Sequence, residues 1–127
     1  MQEKQLFEYA VIRVMPRVER EEFLNAGVIV YCAKLKFLKA IYRLNEHRIK
    51  TFCLETDIEE LEDHLKTFEH ICQGNKDSGP IGKLPMAERF RWLTATRSTI
   101  VQTSKVHPGF TIDAEKTLAR LFDQLVL

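Results

Sequence analysis

The segment from Phe7 to Met15 constrains the fold more than any other part of this sequence. It is apolar on both of its alternating faces except at Glu8 and Arg13, and Pro16 ends it. A strand with one face in water alternates apolar and polar residues, whereas a strand covered on both sides is apolar almost throughout. The segment therefore predicts a central strand with packed structure on each face of its sheet.

The spacing of apolar residues predicts four strands and four helices in all. Alternating β-branched and aromatic residues favour strands, and apolar residues three or four apart favour helices. The helix predicted over residues 58–73 has Asp57 as its N-cap, Glu60 three residues later and Gly74 directly after its end. Residues 75–85 contain two Gly and two Pro, so we expect a long loop there, and His107-Pro108-Gly109 predicts a turn. The predicted strands are 7–15, 26–32, 37–44 and 99–103, and the predicted helices are 46–52, 58–73, 86–93 and 114–125.

Length and composition agree with one globular domain. The chain has 127 residues, of which 45% are hydrophobic and 29% charged, a balance typical of single domains of this size. Its sequence contains no internal repeat and no linker. We therefore expect a single α+β domain over residues 1–127, with an antiparallel sheet of about four strands and one long helix and a C-terminal helix packed on it.

The net charge and the spacing of the cysteines restrict the binding partners and the cellular location that we expect. The net charge is +1, so no global field draws the chain to nucleic acid, and nucleic-acid binding is a weak alternative that rests on local basic stretches. The spacing of Cys32, Cys53 and Cys72 matches neither a disulfide framework nor a zinc motif, so we expect free, buried thiols. The polar N-terminus lacks a secretory signal pattern and no apolar run is long enough to span a bilayer, which predicts a cytoplasmic protein without membrane contact.

Arg13 is the first candidate binding residue, because a guanidinium inside an apolar strand is costly unless a carboxylate or a phosphate meets it. A structural ion pair with Glu22 is one interpretation, and an anion contact in a cleft is the other. Asn25 and Gly27 are first explained as turn or bulge residues, since both tolerate unusual backbone angles. A binding role for Asn25 is the alternative.

A second group of candidates surrounds Trp92, the single tryptophan. Arg89 lies with Trp92 in the predicted helix 86–93, and Arg97 follows that helix. Arginines can hold a phosphate by bidentate hydrogen bonds while an indole stacks on a base or packs against a protein. The alternative is a tryptophan that anchors the core and arginines that lie along the surface.

The sequence contains no established catalytic, metal or cofactor motif. Ser98, His107 and Glu22 nominally supply a nucleophile, a base and an orienting carboxylate, but no nucleophile elbow surrounds Ser98. His64 and His70 are six residues apart and do not share a helix face as metal ligands would. We therefore predict no metal and no cofactor, and the residues leave open whether the chain is an enzyme.

The runs Phe7 to Pro16, Glu22 to Val30 and Arg89 to Gln102 are similar to a bacterial family described as domain of unknown function 3037. The resemblance covers nearly the whole chain and departs at Thr96, where the family favours Pro. Members of that family often lie beside genes for HipA-type kinase homologues, so the resemblance implies an accessory role with a kinase-like protein partner. The family's motif positions are carried here by Arg13, Glu22, Asn25, Gly27, Arg89, Trp92, Arg97, Ser98 and His107.

Two functions of different classes are consistent with these residues. The first is a protein-binding, accessory or regulatory module that docks through the sheet edge and the region of Trp92. The second is a small enzyme or receptor for a phosphorylated or nucleotide-like ligand. In it Arg13, Arg89 and Arg97 hold the anion, and Glu22 or His107 acts as acid or base. The second function requires these side chains to converge on one cavity.

Overall fold

The computed structural model describes residues 3–97 and 99–127 and contains a five-stranded antiparallel sheet with helices on both faces. The predicted α+β class is confirmed. The strands are β1 (Gln5–Val14), β2 (Leu24–Cys32), β3 (Phe37–Tyr42), β4 (Val101–Thr103) and β5 (His107–Thr111). The helices are α1 (Glu46–Phe52), α2 (Ile58–Gln73), α3 (Gly79–Gly82), α4 (Met86–Leu93) and α5 (Ala114–Leu125).

Strand β1 lies at the centre of the sheet, as its apolar pattern predicts. β2 pairs along one side of β1 and β3 lies beyond β2. On the other side, β5 pairs with the first half of β1 and β4 with its last residues, so the two short strands lie end to end. Ser104 bridges the space between them, because its hydroxyl accepts from the Val11 N–H at 2.8 Å and its own N–H donates to the Val11 carbonyl.

Each face of the sheet has its own core. On one face, Ile12 and Val14 pack with residues of α2 and α4, among them Leu65 and Phe90. On the other face, Phe7 packs with residues of α5. Complete burial of one such aliphatic or aromatic side chain contributes about 1.5–3 kcal/mol. This two-sided burial explains why the first strand tolerates so few polar residues.

Local sequence signals fix the ends of the long helices. The Asp57 side chain accepts from the Glu60 N–H at 3.2 Å, and Gly74 ends α2 in the left-handed conformation with φ 68°. Asp113 caps α5 in the same way by accepting from the Lys116 N–H at 3.2 Å. The predicted bounds of both helices are confirmed.

Two predictions about connecting segments are wrong. Residues 75–85 are not an open loop, because a 3-10 turn at Lys76–Ser78 is followed by α3. Pro80 lies in the first turn of α3, a position that suits proline because it needs no N–H donor there. The segment His107-Pro108-Gly109 belongs to β5 and is not a turn. Pro108 is tolerated there because β5 is an edge strand, and Gly109 admits the Phe7 ring, which a Cβ at that position would approach to 2.6 Å.

The bulge interpretation of Asn25 and Gly27 is confirmed. The β1–β2 register shifts between Ile12 and Arg13, which face Gly27 and Asn25 respectively. One extra residue on β2 is thereby left without a partner, as in a β-bulge. A side chain at Gly27 would collide with the Ile41 carbonyl of β3, so this position requires glycine for a close approach between strands.

Candidate anion-binding site

Arg13 lies over an aromatic ring and has no carboxylate partner in the described structure. Its Cζ lies 4.0 Å from the centroid of the Phe23 ring, a cation–π contact. Its Nε is buried and has no hydrogen-bond partner within the described parts of the chain. Glu22 forms its ion pair with Arg20, so the predicted Arg13–Glu22 pair is wrong. The cost of burying part of Arg13 is therefore left without a protein carboxylate to offset it.

Arg97 is held in a similar way by the tryptophan. Its Cζ lies 3.9 Å from the centroid of the Trp92 ring, and its Nη2 donates to the Trp92 carbonyl. Burial lowers the pKa of Arg97, although a guanidinium remains charged at neutral pH. Among residues 3–97 and 99–127, neither Arg13 nor Arg97 forms an ion pair.

The two arginines line one cavity of about 630 Å³, which we call the arginine cavity. Register brings Gln102 of β4 opposite Arg13 of β1, and Arg97 reaches the same cavity from the segment between α4 and β4. The described lining therefore carries two guanidiniums and one carboxylate, that of Glu21. The lining includes Arg13, Glu21, Phe23, Arg97, Gln102 and Thr103.

Glu21 has an unusual backbone at the edge of the arginine cavity. Its φ is 56° and its ψ is 20°, in the left-handed region that non-glycine residues seldom adopt. It ends the short 3-10 turn that connects β1 to β2, and its N–H donates to the Val18 carbonyl at 3.1 Å. The turn thus carries a carboxylate to a cavity that is otherwise cationic.

Arg89 does not join the other two arginines in the arginine cavity. Its Nη1 donates to the Leu84 carbonyl at 2.7 Å, and its guanidinium packs against Gly74 at the end of α2. This contact joins the end of α2 to the segment that precedes α4. A structural role explains these contacts, although its Nε is also buried without a partner in the described structure.

The remaining candidates are spread over the molecule. Asn25 donates from Nδ2 to the Leu125 carbonyl at 3.0 Å and so fastens β2 to the end of α5. The His107 ring lies against Tyr9, with 5.3 Å between the ring centroids. Ser98 lies outside the described residues.

The nominal pair of Glu22 and His107 is not assembled in the fold. His107 faces Tyr9 in the middle of β1, whereas Glu22 precedes β2 beside the end of β1. The five residue steps from Tyr9 to Val14 span about 17 Å at about 3.3 Å per step. These two side chains therefore cannot share a proton.

Cys53 is a chemically distinct residue that the sequence interpretation missed. It is only half-buried, while Cys32 and Cys72 are buried, so the expectation of three buried thiols is wrong for Cys53. The side chain of Thr56 and then the guanidinium of Arg17 lower the pKa of the Cys53 thiol. Burial raises the pKa of the Cys72 thiol to about 12. Thr56 is a local signal three residues after Cys53, but Arg17 lies 36 positions before it, and only the fold brings the two together.

Glu21, Phe23 and Gln102 are the residues of the arginine cavity that sequence reasoning did not single out. The sequence signal that could have identified Phe23 is an aromatic residue directly before a strand. The contact of Phe23 with Arg13 depends on the register between β1 and β2, which residue types alone do not determine.

Fold and site together define a small layered α+β domain with a cationic cavity beside the edge strand β4. The model of the family described as protein of unknown function DUF3037 matches residues 9–126, and the chain belongs to this family. The predicted resemblance is thus confirmed. No match was found among curated proteins or among solved structures. Among the described helices, none is sufficiently long and apolar to cross a membrane.

Proposed function

We propose that this domain is a receptor for a small phosphorylated ligand, whose anionic group lies between Arg13 and Arg97 in the arginine cavity. One observation carries the proposal: two guanidiniums without protein ion-pair partners in the described structure line the same cavity. A phosphate supplies the charge that such groups lack, and its oxygens match the fork geometry of arginine.

The aromatic contacts prepare both arginines for such a ligand. Phe23 and Trp92 each cover one face of a guanidinium, so the planar groups are held in place before an anion arrives. The edges of a guanidinium carry its N–H donors, and stacking on a face leaves those edges open to a ligand. The exceptions here are the buried Nε of Arg13 and the Nη2 of Arg97, which already donates to the Trp92 carbonyl. Preorganisation of this kind reduces the entropy that a ligand would otherwise lose on binding.

The placement of the acid–base candidates supports binding over catalysis. Neither Glu22 nor His107 lines the arginine cavity, and the carboxylate that does so belongs to Glu21. A general acid or base must be within hydrogen-bond reach of the reacting atom. The geometry therefore supports a receptor, with Glu21 available to accept a hydrogen bond from a ligand hydroxyl or amine.

Phosphate titration of the full chain tests this proposal. Amide chemical shifts are followed by NMR as inorganic phosphate is added to the wild type and to the R13M and R97M variants. We expect each substitution to weaken binding at least tenfold, because a hydrogen bond to a charged group contributes about 1.5–3 kcal/mol. R91M is the matched control, since Arg91 is exposed on α4 and does not line the arginine cavity.

Two results would contradict the receptor proposal. The first is a wild-type protein whose amide shifts do not respond to phosphate. The second is an R91M variant that loses as much affinity as R97M, which would indicate general surface charge. Far-UV circular dichroism of each variant separates a lost contact from a lost fold.

Protein binding is a second candidate, favoured by an apolar pair at the sheet edge. Leu6 of β1 and Phe110 of β5 face each other in register and are 51% and 69% exposed, and Ile112 beside them is 53% exposed. We propose this surface as the contact for the kinase-like partner that the family resemblance implies. We expect F110S to lose capture of that partner, as judged by native mass spectrometry, while E62A, with Glu62 exposed on α2, retains it. Equal capture by F110S and wild type would exclude this surface.

The three cysteines support a cytoplasmic location for the proposed receptor. All three are free in the structure. Free thiols persist in reducing compartments and are oxidised or paired outside the cell.

A further inference from the structure

A second cavity, of about 390 Å³, adjoins Arg97, and we call it the helix groove. It lies between α2, α4 and β4. Arg97 lines both the helix groove and the arginine cavity. A ligand held by Arg97 at one end therefore has a second surface within reach at the other end.

The helix groove has an apolar floor. Phe68, Ile71 and Leu93 are buried residues that line it, and Trp92, which is 39% exposed, lines it as well. Aromatic and aliphatic side chains of this kind form the walls against which flat heterocycles pack. The floor has the chemistry to receive the uncharged part of a ligand.

The side of the helix groove carries two polar groups from α2, Asp63 and His64. They precede Thr67 and Phe68 by one helical turn and therefore share the face that borders the helix groove. The Thr67 hydroxyl already donates to the Asp63 main-chain carbonyl at 3.0 Å. The Asp63 carboxylate forms no ion pair among the residues that the structure describes, so it can accept a hydrogen bond from a ligand.

These features select one class of ligand. We propose that the helix groove binds the base of a nucleoside phosphate whose phosphate is held by Arg97 and Arg13. An ionised carboxylate only accepts hydrogen bonds, so Asp63 favours a base with an exocyclic amino group. This inference rests on the proposed receptor function, because Arg97 is the residue that the two cavities share.

Trp92 makes the inference directly measurable, since it is the single tryptophan and lines the helix groove. Its fluorescence is followed as the full chain is titrated with adenosine 5′-monophosphate, inosine 5′-monophosphate, ribose 5-phosphate or inorganic phosphate. NMR titrations give a second readout that is free of absorption by the base. We expect the adenine nucleotide to bind at least tenfold more tightly than ribose 5-phosphate or phosphate, and several-fold more tightly than the inosine nucleotide.

A pair of α2 variants separates the base contact from the phosphate contact. We expect D63A to bind the adenine nucleotide several-fold more weakly and inorganic phosphate as the wild type does. E62A is the matched control, because Glu62 is an exposed neighbour on α2 that does not line the helix groove. We expect E62A to bind both probes normally.

The possible failures are distinguishable. Equal affinities for the nucleotide and for inorganic phosphate, both lost in R97M, would overturn the base site and leave the receptor function standing. If neither the nucleotides, ribose 5-phosphate nor inorganic phosphate binds, both the base site and the receptor function are overturned. Adenosine that binds as tightly as its nucleotide, in wild type and R97M alike, would refute the shared role of Arg97.

A 5′-phosphorylated trinucleotide offers the same chemistry from a nucleic-acid source. Binding no tighter than that of the mononucleotide supports a free nucleotide as the ligand. Binding at least tenfold tighter, still lost in D63A and R97M, supports the same base and phosphate contacts with a nucleic-acid end as their source.

Discussion

Replacement of Gly109 by alanine tests whether residues 107–111 form a strand packed on β1. A Cβ at Gly109 would lie 2.6 Å from both Cε1 and Cζ of Phe7, whereas carbon atoms in contact prefer about 3.5–4.0 Å. Phe7 is 4% exposed and belongs to the core beneath α5, so its ring cannot move away into solvent. The added methyl group must therefore distort the core.

The expected magnitude follows from two opposing effects. Overpacking of a core costs about 1–3 kcal/mol. Loss of glycine's freedom in the unfolded chain offsets about 0.4–1 kcal/mol, and the midpoints of the two ranges leave a net destabilisation of about 1.3 kcal/mol. Were residues 107–109 an exposed turn, as their composition predicts, Gly109 would not contact Phe7 and the effect of G109A would not depend on that ring.

Urea unfolding followed by far-UV circular dichroism measures the difference. The F7L substitution removes both clashing ring carbons, so we expect G109A to cost less than about 0.5 kcal/mol in the F7L background. F7L alone is the control for the loss of the ring. A G109A protein as stable as the wild type, or an equal cost in both backgrounds, would refute the packing of β5 on Phe7.

The remaining predictions concern the thiols and the helix caps. Because the pKa of Cys53 is lowered, we expect iodoacetamide to alkylate Cys53 first, and we expect R17M to move the midpoint of its pH–rate profile upward. Cys72, with a pKa raised to about 12, should react only after unfolding, and equally fast labelling of both thiols in the folded protein would contradict this. D57A and D113A should each lower the free energy of unfolding by about 1 kcal/mol in urea titrations, because each removes a side-chain N-cap. Unchanged midpoints would show that these caps contribute nothing.

Local sequence patterns predicted much of the fold. The limits of α2 follow from Asp57 and Gly74, since a cap and a left-handed stop act on backbone groups within one turn. The central place of β1 follows from its apolar pattern, because burial on two faces needs apolar residues at successive positions. Strand β5 was missed because Pro108 and Gly109 favour turns when they are considered alone. Pairing with β1, about a hundred positions earlier in the chain, overrides that preference.

The residues of the candidate site were likewise predicted only in part. The residue types alone predict that Arg13, placed within an apolar strand, needs a compensating contact, because removing even part of a guanidinium from water is costly. The sequence also identified Arg97 and Trp92 as candidates. Three other features depend on the folded chain: Phe23 covers Arg13, Arg97 and not Arg89 shares the cavity of Arg13, and Glu22 forms its ion pair with Arg20. Arg13 and Arg97 are 84 positions apart in the chain. The register of β1 with its neighbours and the packing around it decide which side chains meet, so residue types alone do not predict these contacts.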